Sequence, residues 1–120
     1  MSKTIMVVDD DDLLRELVAN EFETKGYKVH LAGNGIEALK ILEENPDISI
    51  ILSDVRMPKM DGIELLKNVK AKDPKTPVFI FISGYSDYEP SEINAMGADR
   101  VFDKPFNINK IFEAVSKLSP

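Results

Sequence analysis

One apolar stretch of the sequence, residues 48–54, limits the possible folds more than any other part of the chain. Its apolar side chains fall at both odd and even positions, a pattern typical of a strand that is covered on both faces. The stretch ends in Asp54, and Pro58 follows where a central strand cannot continue. The sequence therefore predicts a buried parallel sheet whose carboxyl edge carries Asp54.

The rest of the chain repeats one pattern, in which an apolar strand is followed by a helix. The predicted strands are residues 4–8, 28–32, 48–54, 77–82 and 100–103. A helical spacing of apolar residues follows each strand, and it is weakest in the fourth helix, within residues 86–96. This alternation predicts an α/β fold, a five-stranded parallel sheet with helices on both faces. We expect the flavodoxin-like strand order 2-1-3-4-5.

Local signals in the first half of the chain give more detailed expectations. The helical pattern places Leu14, Leu17, Val18 and Phe22 on one apolar face of the first helix. Asp11 or Asp12 is a suitable cap for the start of that helix, and Gly26 is suited to its end. The single histidine, His30, lies in the second predicted strand, and we interpret it as a structural or surface residue rather than a catalyst.

Composition excludes several classes of protein. The chain has 120 residues, which suits one domain, and we expect residues 1–120 to form it. A net charge of -6 disfavours binding to nucleic acid or to an anionic membrane. The chain has no cysteine, no apolar run long enough to span a membrane and no signal-peptide pattern. These features favour a cytoplasmic protein.

Polar side chains stand at or just after the ends of four of the five predicted strands. They are Asp9 with Asp10, then Asp54, Ser83 and Lys104. Because parallel strands end at the same edge of a sheet, we expect these groups to share one pocket. Clustered carboxylates repel one another unless a cation neutralises them, and a ligand set made only of oxygen suits Mg²⁺. Such a pocket can hold a phosphoryl group, with Asp54 as its nucleophile.

The motifs at this edge resemble those of a response-regulator receiver domain. They are Val-Val-Asp-Asp at 7–10, Asp-Val-Arg-Met-Pro-Lys-Met-Asp-Gly at 54–62, Ser-Gly at 83–84 and Lys-Pro-Phe at 104–106. The combination in this order is specific, and the likeness covers essentially the whole chain. The resemblance implies that a sensor histidine kinase or a phosphotransfer protein gives a phosphoryl group to Asp54 in a Mg²⁺-dependent reaction. It also implies a signalling domain that is not an enzyme in the ordinary sense.

The resemblance carries particular roles to individual residues. Asp9, Asp10, Asp54 and the backbone carbonyl of Arg56 match the groups that hold Mg²⁺. Ser83 matches the Ser/Thr position that contacts the phosphoryl group, and Lys104 matches the lysine that neutralises its charge. The Lys104–Pro105 peptide bond is expected to be cis.

One position departs from the family pattern. Receivers often carry an aromatic residue three positions before the lysine, where this chain has Val101. Phe102 is one residue away and should face the opposite side of its strand. We therefore expect phosphorylation to act through the loop after Ser83 and through the fourth helix.

That route predicts a surface for downstream contacts. The face made by helix 4, strand 5 and helix 5 is expected to change, including Glu92, Lys110 and Glu113. An unknown downstream protein, or a second copy in a phosphorylation-dependent homodimer, would contact this face.

Three other functions stay open at this point. A haloacid-dehalogenase-like hydrolase would also use Mg²⁺, acids and a lysine, but residues 9–12 lack the Thr or Val of its motif and the chain has no room for a cap domain. A receiver-like binding module that is never phosphorylated would not need the intact site. A flavin-binding flavodoxin is disfavoured because no Ser/Thr-rich loop follows the first strand.

Other questions are left open by the sequence. Arg56 and Tyr85 follow Asp54 and Ser83 by two residues, so they either hinder the approach of a hydrolytic water or are solvated loop residues. The chain is either a single-domain regulator or a receiver taken from a longer protein.

Overall fold

Five strands and five helices alternate in the computed structural model, which describes residues 3–73, 77–83, 89–103 and 107–118, without the side chains of Ser83 and Pro90. The strands are β1 Thr4–Val8, β2 Lys28–Ala32, β3 Ile50–Ser53, β4 Val78–Ser83 and β5 Arg100–Asp103. The helices are α1 Asp12–Thr24, α2 Gly35–Glu44, α3 Gly62–Lys72, α4 Pro90–Ala95 and α5 Ile108–Leu118. The predicted alternation is confirmed, and β3 is shorter than expected because it starts at Ile50 and stops one residue before Asp54.

All five strands are parallel and lie in the order β2-β1-β3-β4-β5, as predicted. Strand β1 is second from one edge and pairs with β2 on one side and with β3, the central strand, on the other. In this register Val8 lies beside Ala32 and Ser53. The residues that follow these strands therefore emerge together at one edge of the sheet.

Two apolar layers cover the faces of the sheet. One layer joins the sheet to α2, α3 and α4, and its fully buried side chains include Met6, Ile51, Leu66, Phe79 and Ile93. The other joins the sheet to α1 and α5, and it includes Ile5, Phe22, Leu52, Ile80 and Ile111. This burial on both faces accounts for the nearly unbroken apolar sequence of β1, β3 and β4.

Helix α1 begins and ends as its sequence predicts, but one of its leucines does not face the core. The Asp11 carboxylate accepts hydrogen bonds from the backbone of Leu13 and Leu14, and Gly26 has a φ of 90°. The prediction that Leu17 lies on the buried face is wrong, because its side chain is 58% exposed. Leu17 lies about 100° around the helix from Val18, whose side chain points into the core.

The two central residues of β5 point to opposite faces of the sheet. Val101 packs in the layer of α2, α3 and α4, beside Phe81 of β4. Phe102 packs in the other layer, and the Arg100 guanidinium lies 5.0 Å from its ring centre. The phenylalanine thus faces away from the position at which the family often has an aromatic ring, as the alternation of side chains predicts.

Two further features bear on the expectations from sequence. His30 is half-buried in β2, so its side chain is neither fully exposed nor fully buried, and its role stays a prediction. Among the helices that the structure describes, none combines the length and the apolar character that crossing a membrane requires.

Candidate functional site

Three carboxylates meet at the carboxyl edge of the sheet. Oxygen atoms of Asp9, Asp10 and Asp54 all lie within 4.8 Å of one another. Asp9 is buried, Asp54 is half-buried and Asp10 is exposed, so the group forms a cleft that opens to solvent at one side. Three negative charges at this separation repel one another in partly buried surroundings, and a cation between them would relieve that repulsion.

Backbone contacts hold Asp9 at the end of β1. Its N–H donates to the Ala32 carbonyl at 3.0 Å, which continues the pairing of β1 with β2. Its carboxylate Oδ1 accepts a hydrogen bond from the Asp11 N–H at 2.9 Å. Asp11 in turn caps α1, so the start of the helix and the orientation of the Asp9 side chain depend on each other.

Asp54 is fixed in a similar way at the end of β3. Its N–H donates to the Val8 carbonyl at 2.9 Å, and its Oδ1 accepts from the Val55 N–H at 2.8 Å. One carboxylate oxygen is thus engaged by the backbone. The β1–β3 pairing carries Asp54 to the same height as Asp9, because Val8 and Ser53 are register partners.

The loop after Asp54 packs closely against its neighbours because two glycines leave room for it. A Cβ atom on Gly62 would lie 2.2 Å from the Asp54 carbonyl oxygen and 2.7 Å from the Phe81 ring. A Cβ atom on Gly35 would lie 2.7 Å from the Met60 carbonyl oxygen, which accepts a hydrogen bond from the Gly35 N–H. This loop therefore contacts both β3 and the start of α2.

Beside the acids lies an open depression of about 420 Å³, lined by Asp10, Arg56, Met57 and Asp61. The Arg56 side chain is exposed at its rim. The Asp61 carboxylate accepts from the Glu64 N–H at 2.9 Å and caps α3, so this acid has a structural role. The depression is large enough to admit a group such as phosphate next to the three carboxylates.

The other predicted site residues are described only in part. Ser83 is the last residue of β4, in register with Asp103 of β5, so its backbone lies at the same edge as Asp54. Lys104, with the predicted cis bond to Pro105, and Tyr85 lie outside the described residues. Their predicted roles remain predictions.

Sequence reasoning missed one residue that contacts the site, Arg15 of α1. Its Nη1 donates to the Asp9 carbonyl at 2.8 Å, and its Nη2 contacts the Asp12 carboxylate at 2.6 Å. The available signal was the i, i+3 spacing of Asp12 and Arg15, which predicts an ion pair on the helix but not the contact with Asp9.

Fold and site together define a class of protein, a doubly wound α/β domain with an acidic pocket at the carboxyl edge of its parallel sheet. The sequence profile of the response regulator receiver domain matches residues 5–116. The chain therefore belongs to the response regulator receiver family, the signalling domains of two-component systems.

Similar curated proteins include both short and long chains. Sporulation initiation phosphotransferase F of Bacillus subtilis is 38% identical over 122 residues, and the match covers all of this chain and 96% of that protein. Sensor kinase CckA of Brucella abortus is 36% identical over 121 residues, but the chain spans only 12% of its length. Regulatory protein AtoC of Escherichia coli is 36% identical over 109 residues, and the chain spans 23% of it.

Solved structures agree with this membership. A CheY-like receiver domain protein of Methanospirillum hungatei is 32% identical with a TM-score of 0.87, covering 98% of this chain and 94% of that one. Response regulator TrrA of Thermotoga maritima, solved in complex with Mg²⁺ and BeF, is 34% identical with a TM-score of 0.86, covering 97% of this chain and 98% of that one.

Proposed function

We propose that this receiver domain accepts a phosphoryl group on Asp54 and thereby changes the surface that a downstream protein contacts. One observation carries the proposal: the carboxylates of Asp9, Asp10 and Asp54 lie within 4.8 Å of one another at an open edge of the sheet. A partly buried carboxylate beside two further acids suits a metal-assisted phosphoryl acceptor.

The proposed transfer is a displacement at phosphorus. A carboxylate oxygen of Asp54 attacks the phosphorus of a phosphohistidine, a P–O bond forms, and the P–N bond to the imidazole breaks. The imidazole leaves with the bonding electron pair and takes up a proton from solvent.

The residues present fit a Mg²⁺ ion. Asp9, Asp10, Asp54 and the backbone carbonyl of Arg56 are all hard oxygen donors, and none of them is a histidine or a cysteine. When bound, Mg²⁺ would neutralise charge on the phosphoryl oxygens. Asp9, whose carboxylate accepts a hydrogen bond from the Asp11 N–H, and Asp10 would hold the ion next to Asp54.

Two further residues are proposed to contact the phosphoryl group. Ser83 would donate a hydrogen bond to one of its oxygens, which is supported by its place at the end of β4. Lys104 would neutralise its remaining charge, a role that rests on the family resemblance and on its position just after β5. In this role the domain is a signalling device, and its proposed catalysis is limited to its own phosphorylation and dephosphorylation.

The phosphoryl donor is proposed to be a sensor histidine kinase or a phosphotransfer protein. The relatives support this, since one carries the name of a sensor kinase and another that of a phosphotransferase. We further propose that residues 1–120 act as one receiver domain in the cytoplasm. A net charge of -6 makes direct binding to nucleic acid or an anionic membrane unfavourable.

The test uses intact mass spectrometry after incubation with Mg²⁺ and acetyl phosphate or a phosphorylated histidine kinase. We expect the wild-type chain to gain the mass of one phosphate, and Asp54→Asn to gain none. Asp61→Asn is the matched control, because it alters another carboxylate of the depression and should still be phosphorylated. Stable incorporation at another residue of Asp54→Asn would overturn the assignment. Repeated turnover of a small phosphate monoester would favour the hydrolase instead.

A further inference from the structure

Arg15 lies beside the acidic pocket, although it belongs to the body of α1. Its side chain turns back toward the end of β1, where Nη1 donates to the Asp9 carbonyl at 2.8 Å. Its other nitrogen, Nη2, contacts the Asp12 carboxylate at 2.6 Å. The Arg15 side chain is 18% exposed and that of Asp12 is 80% exposed, so the contact with Asp9 is the inner one of the two.

The contact with Asp9 determines more than the position of one carbonyl group. That carbonyl and the N–H of Asp10 belong to the same planar peptide unit, so fixing the oxygen also fixes the plane. The N–H of Asp9 is held by Ala32 and its carboxylate by Asp11. The Arg15 bond therefore fixes the remaining polar group of Asp9 and sets the direction in which the chain enters Asp10.

Arg15 also lies near the turn between β2 and α2. A Cβ atom placed on Gly33 would lie 3.6 Å from Nη1, so the guanidinium is close to that turn. A planar guanidinium with several N–H donors can fill the space between two loops and bind two acceptors at once. An ammonium group lacks this geometry, even though it carries the same charge.

We propose that Arg15 is a positioning residue of the metal site. By holding the Asp9–Asp10 peptide, it keeps the carboxylates of Asp9 and Asp10 directed toward Asp54. The inference rests on the proposed function, since it concerns the same Mg²⁺ site. Residues that orient metal ligands in this way typically change metal affinity by on the order of 10-fold or more when they are replaced.

Charge and position make opposite predictions for this residue. Arg15 is a cation next to a site for a cation, so its removal should strengthen Mg²⁺ binding if only charge mattered. If it positions Asp9 and Asp10, its removal should weaken binding despite the more favourable charge. The sign of the change therefore distinguishes the two effects.

The experiment is a Mg²⁺ titration of the full chain, followed by backbone amide shifts in NMR. We expect Arg15→Met to bind Mg²⁺ about 10-fold more weakly than wild type. Arg15→Lys keeps the positive charge but lacks the planar guanidinium and its several N–H donors. This variant should also bind Mg²⁺ more weakly than wild type. Asp12→Asn removes the exposed ion pair and leaves the Asp9 contact, so its affinity should stay within about two-fold of wild type.

A second measurement on the metal-free protein separates positioning from a general loss of structure. Arg15→Met should shift the carbonyl ¹³C signal of Asp9 and the amide signal of Asp10. The amide signal of Asp54, which is bonded to Val8 on the far side of β1, should stay in place. If Arg15→Met does not fold, the same two measurements on Arg15→Lys decide the question.

The outcomes that oppose the proposal are distinct from those that oppose the proposed function. A wild-type chain that does not bind Mg²⁺ would remove the proposed function itself. A wild-type chain that binds Mg²⁺, with equal or tighter binding by a folded Arg15 variant, would overturn only the role of Arg15.

Discussion

Gly62 shows how tightly one residue can be constrained at the edge of this site. It is the first residue of α3, and its backbone lies against both Asp54 and Phe81. A methyl group there would approach the Asp54 carbonyl oxygen to 2.2 Å, well inside contact distance, and that oxygen is backbone, so it cannot turn away. The closeness of the start of α3 to Asp54 thus depends on the absence of a side chain.

We expect Gly62→Ala to lower the free energy of unfolding by about 1–3 kcal/mol, because α3 and the loop must shift to admit the methyl group. Gly33→Ala is the matched control, since its methyl group would meet only ordinary contact at 3.6 Å. Urea denaturation of both variants and of wild type measures the difference. A Gly62→Ala variant as stable as Gly33→Ala would contradict the close contact.

At the scale of residues, the sequence predicted the acids but not the groups that hold them. Asp9, Asp10 and Asp54 could be placed together because each follows an apolar strand, and parallel strands end at one edge. The role of Arg15 depends on a side chain that crosses back over a loop, and that of Gly62 on a backbone approach. Neither role follows from a periodic pattern in the sequence, so only the three-dimensional structure reveals these two roles.

At the scale of elements, α1 presents an apolar surface next to the pocket. Leu13 is 81% exposed and Leu17 is 58% exposed, one turn apart on the same side of the helix. Leu17 also borders a groove of about 260 Å³ shared with Glu21 of α1 and Ile108 of α5. A protein that brings a phosphohistidine to Asp54 must contact the surface next to the pocket. The exposed leucines of α1 are suited to pack against such a protein.

We expect the double variant Leu13→Ser, Leu17→Ser to accept phosphate at least about ten-fold more slowly from a phosphorylated partner protein, because buried apolar anchors dominate such contacts. Phosphorylation by acetyl phosphate, which needs no docking surface, should be nearly unchanged. Ile36→Ser is the control, since Ile36 is 53% exposed but lies on α2, across the sheet. Equal loss with both donors would assign these leucines to the fold rather than to docking.

We expect phosphorylation to change the face made by α4, β5 and α5, and a downstream protein to bind that face. Helix α4 has six residues, and Ile93 is the buried one among its described side chains, so we expect the helix to shift at low cost. Glu92, Lys110 and Glu113 are exposed on these helices. The Glu92 carboxylate also accepts a hydrogen bond from the Glu89 N–H at the start of α4. With Val101 in place of an aromatic residue, the change should start from the Ser83 loop.

Amide-shift mapping with Mg²⁺ and beryllofluoride, a phosphoryl mimic, tests this route. We expect shifts through α4, β5 and α5, because the added negative charge at Asp54 should attract the side chains of Ser83 and Lys104. Asp54→Asn treated in the same way is the control and should show none of them. Shifts confined to the immediate neighbours of the pocket would contradict the route.

Among the elements, the sequence predicted every strand and helix, and the exposure of Leu17 shows where such predictions fail. An i, i+3, i+4 pattern identifies an apolar stripe but not how far around the helix the core extends. In α1 the buried residues are Val18, Ala19 and Phe22, while Leu17 stays exposed. The extent of α4 was also poorly defined, because a short helix has few periodic positions.

At the scale of the whole molecule, Mg²⁺ binding should raise the free energy of unfolding and the Tm. The three carboxylates are brought together only in the folded chain, so a ligand bound to the cluster favours the folded state. At Mg²⁺ about 100 times its dissociation constant, the gain is about 2.7 kcal/mol. For a domain of this size that corresponds to a rise in Tm of roughly 10 °C.

Calorimetry with and without Mg²⁺ measures this rise. In Asp10→Ala we expect most of it to disappear, because one of the three carboxylates is gone. Glu16→Ala, which removes an acid of α1 outside the cluster, should keep it. The same rise in wild type and in Asp10→Ala would place the stabilising ion elsewhere.

The pairing of β1 with β3 has a consequence for the order in which the protein is made. During synthesis β1 leaves the ribosome before its partner β3, which follows only after α1, β2 and α2. Until β3 joins, Asp9 and Asp10 have no Asp54 beside them, and one edge of β1 has no partner strand. A nascent chain that stops before Ser53 therefore exposes the apolar edge of β1. We expect such truncated chains to aggregate readily and to bind chaperones.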